Sequence, residues 1–107
     1  MIIKLANAKH IVYSKLISKL IDESAKNRGT GIARRSALYI KEKILSGNSV
    51  IALDKNNFAG FCYIEAWEHG KYVAHSGLIV SPKYRNKGIG KKIKKKVLEL
   101  SLKKYPK

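Results

Sequence analysis

The most informative part of the sequence, residues 78–90, reads Leu-Ile-Val-Ser-Pro-Lys-Tyr-Arg-Asn-Lys-Gly-Ile-Gly. An apolar strand ends at a proline, a short basic loop follows, and two glycines separated by one residue open a helix. The first N–H groups of a helix have no intrahelical acceptor and carry partial positive charge. Because glycine has no Cβ atom, an anion can approach that backbone closely. The stretch therefore predicts a site for a phosphate or pyrophosphate, although two glycines in a loop are equally compatible with an ordinary turn before a helix.

Working outward from this stretch, the spacing of apolar residues distinguishes helices from strands. Alternation predicts strands over residues 2–6, 49–53, 58–67 and 72–80. Spacings of three to five residues predict helices from an Asn7 cap to about Ser24, from Ser36 to Leu45, and from Gly88 to Lys104. Their expected buried residues are Ile11, Val12, Leu16, Ile17, Leu20 and Ile21, then Leu38, Ile40, Ile44 and Leu45, then Ile89, Ile93, Val97 and Leu100. The order β-α-α-β-β-β-α predicts an α/β (α+β) fold with a mostly antiparallel sheet.

Length and composition narrow the class of protein. A chain of 107 residues is expected to form one domain over residues 1–107. Its formal net charge of +16 indicates an anionic partner: a nucleic acid, an anionic membrane surface or a phosphorylated small molecule. A single cysteine, Cys62, excludes an internal disulfide, and no Cys/His cluster has the spacing of a metal site. With no long apolar run, the sequence is typical of a soluble cytoplasmic protein that needs no metal.

The six residues Arg85-Asn86-Lys87-Gly88-Ile89-Gly90 resemble the acetyl-CoA signature of the GCN5-related N-acetyltransferases, which is Arg/Gln-x-x-Gly-x-Gly/Ala. The apolar strand that ends at Pro82 and the predicted order of elements are also similar to that family. The resemblance implies acetyl-CoA as co-substrate and direct attack of an amine on its thioester. It implies that the backbone of Leu78, Ile79 and Val80 holds the pantetheine arm. It implies that the pyrophosphate lies on the loop and helix start, at Arg85, Asn86, Lys87, Gly88, Ile89, Gly90 and Lys91.

The residue that accepts the proton of the amine is harder to assign. By the same resemblance, carboxylates on the central strands act through water, which favours Glu65 and then His75. Each side chain also has a plain structural interpretation. Glu65 would be a solvated strand residue, and His75 would make a hydrogen bond on the sheet. Both interpretations stay open.

The acceptor is expected near the connection between the first two helices, where the resemblance places the acceptor pocket. Arg28, Arg34 and Arg35 lie in that connection, and guanidinium groups bind carboxylates bidentately. The alternative, that this connection is a flexible loop whose arginines are solvated, carries equal weight. Residues 23–36, Glu-Ser-Ala-Lys-Asn-Arg-Gly-Thr-Gly-Ile-Ala-Arg-Arg-Ser, and residues 60–65, Gly-Phe-Cys-Tyr-Ile-Glu, look like acetyltransferases of bacterial arginine biosynthesis. This resemblance implies an N-acetylglutamate synthase-like activity with a small amino-acid acceptor such as glutamate.

The chain departs from the family where the family fold continues with a fifth strand and a fourth helix. Three explanations stay open: a piece of a longer enzyme, which is favoured, a second chain that completes the sheet edge, or a non-catalytic basic module. The competing class is nucleic-acid binding, because residues 83–107 carry eleven Lys and Arg and one acid, Glu99. A lysine-rich helix face is usually only solvated, so nucleic acid ranks behind the acetyltransferase, and no membrane partner is expected.

Overall fold

The predicted order of elements is confirmed in a computed structural model that describes residues 1–27, 36–67 and 72–105. The strands are β1 (Ile2–Leu5), β2 (Ser49–Asp54), β3 (Asn57–Trp67) and β4 (Tyr72–Val80). The helices are α1 (Ser14–Asn27), α2 (Ala37–Leu45) and α3 (Ile89–Lys104). A 3-10 segment, Ala8–Tyr13, leads into α1. The four strands, α2 and α3 lie within one residue of their predicted bounds, whereas α1 begins only at Ser14, after the 3-10 segment, and ends three residues beyond the predicted Ser24.

Within the described residues, the strands form one antiparallel sheet in the order β1-β2-β3-β4. The register of β3 and β4 shifts between Phe61 and Tyr63, where β4 contains one extra residue. Gly77 lies in this bulge with a φ of +64°, and a Cβ atom there would overlap the Tyr63 ring. The bulge therefore depends on glycine. It lies three residues before the end of β4 and reorients the strand just ahead of the loop.

The two faces of the sheet carry separate hydrophobic cores. Ile17 and Ile21 of α1 and Ile40 and Ile44 of α2 pack on the face that includes Tyr63. The other face is covered by α3, whose inward residues are Ile89, Ile93, Val97 and Leu100, as predicted. No helix in the described ranges is long and apolar enough to cross a membrane. The layers hold β4 and the start of α3 at one edge of the domain.

The predicted apolar faces of the first two helices were partly wrong. Val12 is 76% exposed and Leu38 is 64% exposed, and Leu16 and Leu45 are also exposed. Ala8–Tyr13 is a 3-10 helix with three residues per turn, so the stripe drawn at the α-helical period turns away from the core there. The nine-residue α2 presents one narrow face to the sheet, and residues 38 and 45 lie off it.

The predicted cap at Asn7 is confirmed, and it is reciprocal. The Asn7 side chain accepts from the Lys9 N–H at 2.9 Å, and the Asn7 N–H donates to His10 Nδ1 at 2.9 Å. His10 is buried. This pair fixes the point at which the chain leaves β1 and enters the first helical layer.

Candidate functional site

The loop between β4 and α3 bends so that the helix start is open to an anion. Asn86 and Gly88 both have left-handed backbone, with φ values of 65° and 74°, and Gly88 is the N-cap of α3. No side chain caps this helix. The N–H of Lys92 bonds to the Gly88 carbonyl, whereas the three N–H groups before it precede the first intrahelical bond. Where left-handed residues alternate with right-handed ones, successive backbone N–H groups point toward one position and can bind an anion there. We call this part of the loop and helix start the anion cradle.

A pocket of about 320 Å³ lies over this helix start. Its walls come from β4, the loop and the first turn of α3: Val80, Tyr84, Arg85, Asn86, Gly88, Ile89, Gly90 and Lys91. The structure thus brings together most of the residues that the sequence predicts for the cofactor. Lys87 does not line the pocket and is exposed beside it. The Ile79 side chain is buried in the core under α1 and α2, so it is the backbone of β4 that faces this edge.

Arg85 is tied to the free edge of β4. The peptide between Val80 and Ser81 is trans, and its N–H donates to the Ala59 carbonyl of β3 at 2.8 Å. Its carbonyl therefore points away from β3, where Arg85 Nε donates to it at 3.2 Å. Arg85 also lines the pocket, and its guanidinium group has further N–H donors. Arg85 can hold an anion while remaining anchored to the strand.

Tyr84 fastens the same loop to the sheet, and sequence reasoning missed it. Its ring is buried in the core under α3, and its hydroxyl donates to Asp54 Oδ2 at the end of β2, at 3.0 Å. Burial and this hydrogen bond raise the pKa of the Tyr84 phenol. The Lys83 and Lys87 ammonium groups each lie 5.8 Å from the ring centroid. The sequence offers one signal for this contact, a tyrosine inside a basic loop, but the partner, Asp54, is thirty residues away.

The two candidate proton acceptors lie on opposite faces of the sheet. Glu65 is opposite Ala74 in the register and shares the face of Tyr63, under α1 and α2. His75 is opposite Ile64, on the face of α3, and is exposed. Cross-strand partners share a face, so the two side chains do not meet in one site. Glu65 is half-buried and is the one on the side of the first two helices.

A second residue that sequence reasoning missed lies next to Glu65. The Lys43 ammonium of α2 donates to the Ile64 carbonyl at 3.2 Å. It also lies 5.5 Å from the ring centroids of both Tyr39 and Tyr63. This lysine joins α2 to β3 at the residue before Glu65. It places a positive charge on the face where the acceptor is expected.

The remaining predictions for the site concern three arginines, a metal and the cysteine. Arg28, Arg34 and Arg35 lie outside the described residues. No group of three or more potential metal ligands occurs in the part of the chain that the structure covers. Burial raises the pKa of the Cys62 thiol to about 11, and its Sγ contacts the Ser76 carbonyl at 3.3 Å, so it is not a nucleophile at neutral pH.

Comparisons with known proteins agree with this geometry. The sequence model of the acetyltransferase (GNAT) family matches residues 19–104 of this chain. The structure resembles Rv2747 from Mycobacterium tuberculosis, solved with CoA, with a TM-score of 0.74 and 14% identity over 96% of this chain and 58% of that one. It also resembles an aminoglycoside 6'-N-acetyltransferase solved with coenzyme A, with a TM-score of 0.77 and 18% identity over 97% of this chain and 57% of that one.

N-acetylglutamate synthase from Neisseria gonorrhoeae, solved with coenzyme A and N-acetyl-glutamate, matches with a TM-score of 0.73 and 20% identity. That match covers 94% of this chain and 22% of the synthase. The chain therefore spans between about a fifth and three fifths of the length of these three structures. No curated protein matches the sequence significantly.

Proposed function

Because the chain belongs to the acetyltransferase (GNAT) family, we propose that it transfers an acetyl group from acetyl-CoA to the primary amine of a small acceptor. The observation that carries the proposal is the uncapped start of α3, where left-handed Asn86 and Gly88 open backbone N–H groups to a pocket of about 320 Å³. Bound there, acetyl-CoA supplies the thioester carbonyl. Residues of this chain bind the cofactor, orient the two reactants and take up the proton of the amine.

The proposed binding mode uses the groups that the geometry exposes. Backbone N–H groups of the loop and first turn hold the pyrophosphate, and Arg85 and Lys91 supply the counter-charge. The outer edge of β4, at Leu78, Ile79 and Val80, orients the pantetheine arm by strand-like hydrogen bonds. Orientation of the two reactants then provides most of the rate. The N–H groups need no rearrangement before the anion arrives.

For proton transfer we propose Glu65, with His75 as the alternative. This choice is supported by the position of Glu65 on the face of the sheet that α1 and α2 cover, because the acceptor is expected near these helices. Glu65 would take the amine proton directly or through one water. A Glu65→Gln variant should keep its affinity for acetyl-CoA and lose kcat by about 10²–10⁴-fold, whereas His75→Gln should lose little.

For the acceptor we propose an amino acid such as glutamate, within amino-acid biosynthesis in the cytoplasm. Two observations support it: the similarity of fold to the synthase solved with N-acetyl-glutamate, and the Lys43 ammonium, which bonds to the backbone one residue before Glu65. The three arginines of residues 28–35 would bind the acceptor carboxylates. The single Cys62 suits a reducing compartment.

We also propose that a second copy of the chain completes the sheet at β4. In the described residues β4 pairs only with β3, so its other edge offers backbone donors and acceptors. Light scattering of the purified chain tests this association. A strictly monomeric chain at tens of micromolar would remove it.

Two measurements test the function. Titration calorimetry with CoA should give saturable 1:1 binding that Arg85→Gln and Lys91→Gln weaken and that Lys15→Gln, a matched charge loss on α1, does not. Release of CoA thiol, followed with a disulfide reagent, should then depend on an added amino acid. Cys62 is buried, so it adds no background to that assay. Absence of CoA binding in every oligomeric state would refute the proposal.

A further inference from the structure

Among the described residues, the positive charge is concentrated on one side of the sheet. Residues 83–96 of the loop and α3 contain eight Lys and Arg and no Asp or Glu. The described helices of the opposite layer, over residues 8–27 and 36–45, contain six lysines and three acids. We define the basic surface as the exposed members of the first group: Lys83, Arg85, Lys87, Lys91, Lys92, Lys94 and Lys95.

These side chains are not engaged in ion pairs within the described residues. The one acid of α3, Glu99, lies 3.8 Å from Lys96, which is outside the basic surface. Lys104 is bound to the Ser46 carbonyl and the Asn48 side chain at the far end of the helix. Seven like charges that lack an acidic partner within the described residues repel one another. Their repulsion is relieved when an external anion binds.

The pocket accounts for only part of this charge. Arg85 and Lys91 line it, whereas Lys92, Lys94 and Lys95 lie on α3 outside its walls. Successive residues are about 100° apart around a helix, so Lys92 and Lys94 lie on the two flanks of buried Ile93, and Lys95 lies between them on the outer face. A ligand that reaches them together with the loop must be extended and carry repeated negative charges.

The side chains also indicate which polyanion. Lysines act as point charges that contact phosphates without reading bases. No large apolar side chain is exposed between residues 83 and 95, and the exposed Leu98 and Leu102 lie further along α3, beyond the basic surface, so nothing within that surface would insert into a lipid layer. Tyr84, the one aromatic residue of the segment, is buried and offers no stacking platform for unpaired bases. We propose that the basic surface binds the phosphate backbone of duplex nucleic acid without sequence preference.

The test is fluorescence anisotropy of a labelled 20-base-pair DNA duplex with the 107-residue chain, without CoA. Four to six phosphate contacts predict that a change from 50 to 200 mM salt weakens binding by about 10²–10³-fold. A triple variant, Lys92→Gln, Lys94→Gln and Lys95→Gln, should reduce the slope of log K against log salt by about 3. A second, unrelated duplex should bind with the same affinity.

The matched control removes the same charge from the opposite layer: Lys15→Gln, Lys19→Gln and Lys41→Gln. This triple should bind the duplex within about twofold of the wild-type affinity. Equal losses in both triples would assign binding to net charge and overturn the proposal. Binding to vesicles with 30% phosphatidylserine but not to the duplex would overturn it in favour of a membrane surface. Because CoA is absent, the result does not depend on the proposed catalysis.

Discussion

The two glycines of the signature loop are needed for different reasons. Gly88 has a φ of +74°, which strains any L side chain by about 1–2 kcal/mol, although a Cβ atom there meets nothing within 4 Å. A Cβ atom on Gly90 would lie 3.8 Å from Val80 Cγ2, an ordinary contact. Gly90 lies in α3 at the floor of the pocket. We therefore expect its lack of a side chain to matter to a bound molecule and not to the fold.

A pair of alanine variants separates these roles. Gly90→Ala should raise the free energy of unfolding by about 0.5–1 kcal/mol, because alanine is the better helix former, and should weaken CoA binding at least tenfold. Gly88→Ala should lower the free energy of unfolding by about 1 kcal/mol. Urea unfolding and calorimetry measure both. Undiminished CoA affinity in Gly90→Ala would show that the pyrophosphate does not approach this backbone.

The Cys62 thiol is expected to be chemically silent in the folded protein. Its pKa is raised to about 11 by burial, so at pH 7.5 the reactive thiolate is a very small fraction. Native protein should show no labelling by a disulfide reagent over minutes, and full labelling in 6 M guanidinium. Fast labelling of the native chain would mean that the face under α3 opens readily.

At the scale of single elements, the start of the 3-10 segment Ala8–Tyr13 depends on an uncharged His10. Burial, with the charges of Lys4 and Lys9, lowers the pKa of His10 from its ordinary 6.5. Its Nδ1 accepts the Asn7 N–H, and a proton on that nitrogen removes the acceptor. The folded pKa is below the unfolded one. The contribution to stability is therefore complete above about pH 6.5 and is lost as the pH falls toward the folded pKa.

A glutamine at position 10 provides the comparison, since it offers an acceptor at the same place in a capping box and does not titrate. Urea unfolding at pH 7.5 and pH 5 should show a smaller loss of stability in His10→Gln than in the wild type. Equal losses in both proteins would assign the acid sensitivity to other groups.

Local patterns predicted the elements whose ends carry their own signals. Pro82 ends β4 at Val80, and the predicted span of that strand, residues 72–80, is the one observed. Most residues predicted for the cofactor lie together around the start of α3, because a strand, a basic loop and a helix start are contiguous in sequence. The bond from Tyr84 to Asp54 and the Lys43 contact could not be predicted in this way. Each joins residues about twenty or thirty positions apart, which no local spacing reveals.

At the scale of the whole molecule, a net charge of +16 on 107 residues opposes folding through self-repulsion. Exposed charges are screened over about 10 Å at 0.1 M salt. We therefore expect the melting temperature to rise between 20 and 200 mM NaCl, measured by circular dichroism at constant pH. An uncharged osmolyte of equal osmolality controls for effects other than screening. A melting temperature that falls with salt would mean that attractive ion pairs dominate.

The sheet is assembled from two kinds of connection. β2, β3 and β4 follow one another along the chain as neighbours, whereas β1 pairs residues 2–5 with residues 50–53. Closing that long loop costs more chain entropy than closing either turn of the meander, so β1 is expected to join last during folding. As an edge strand it should also open first. Native-state hydrogen exchange should find the amides that bond β1 to β2 less protected than those that bond β2 to β3.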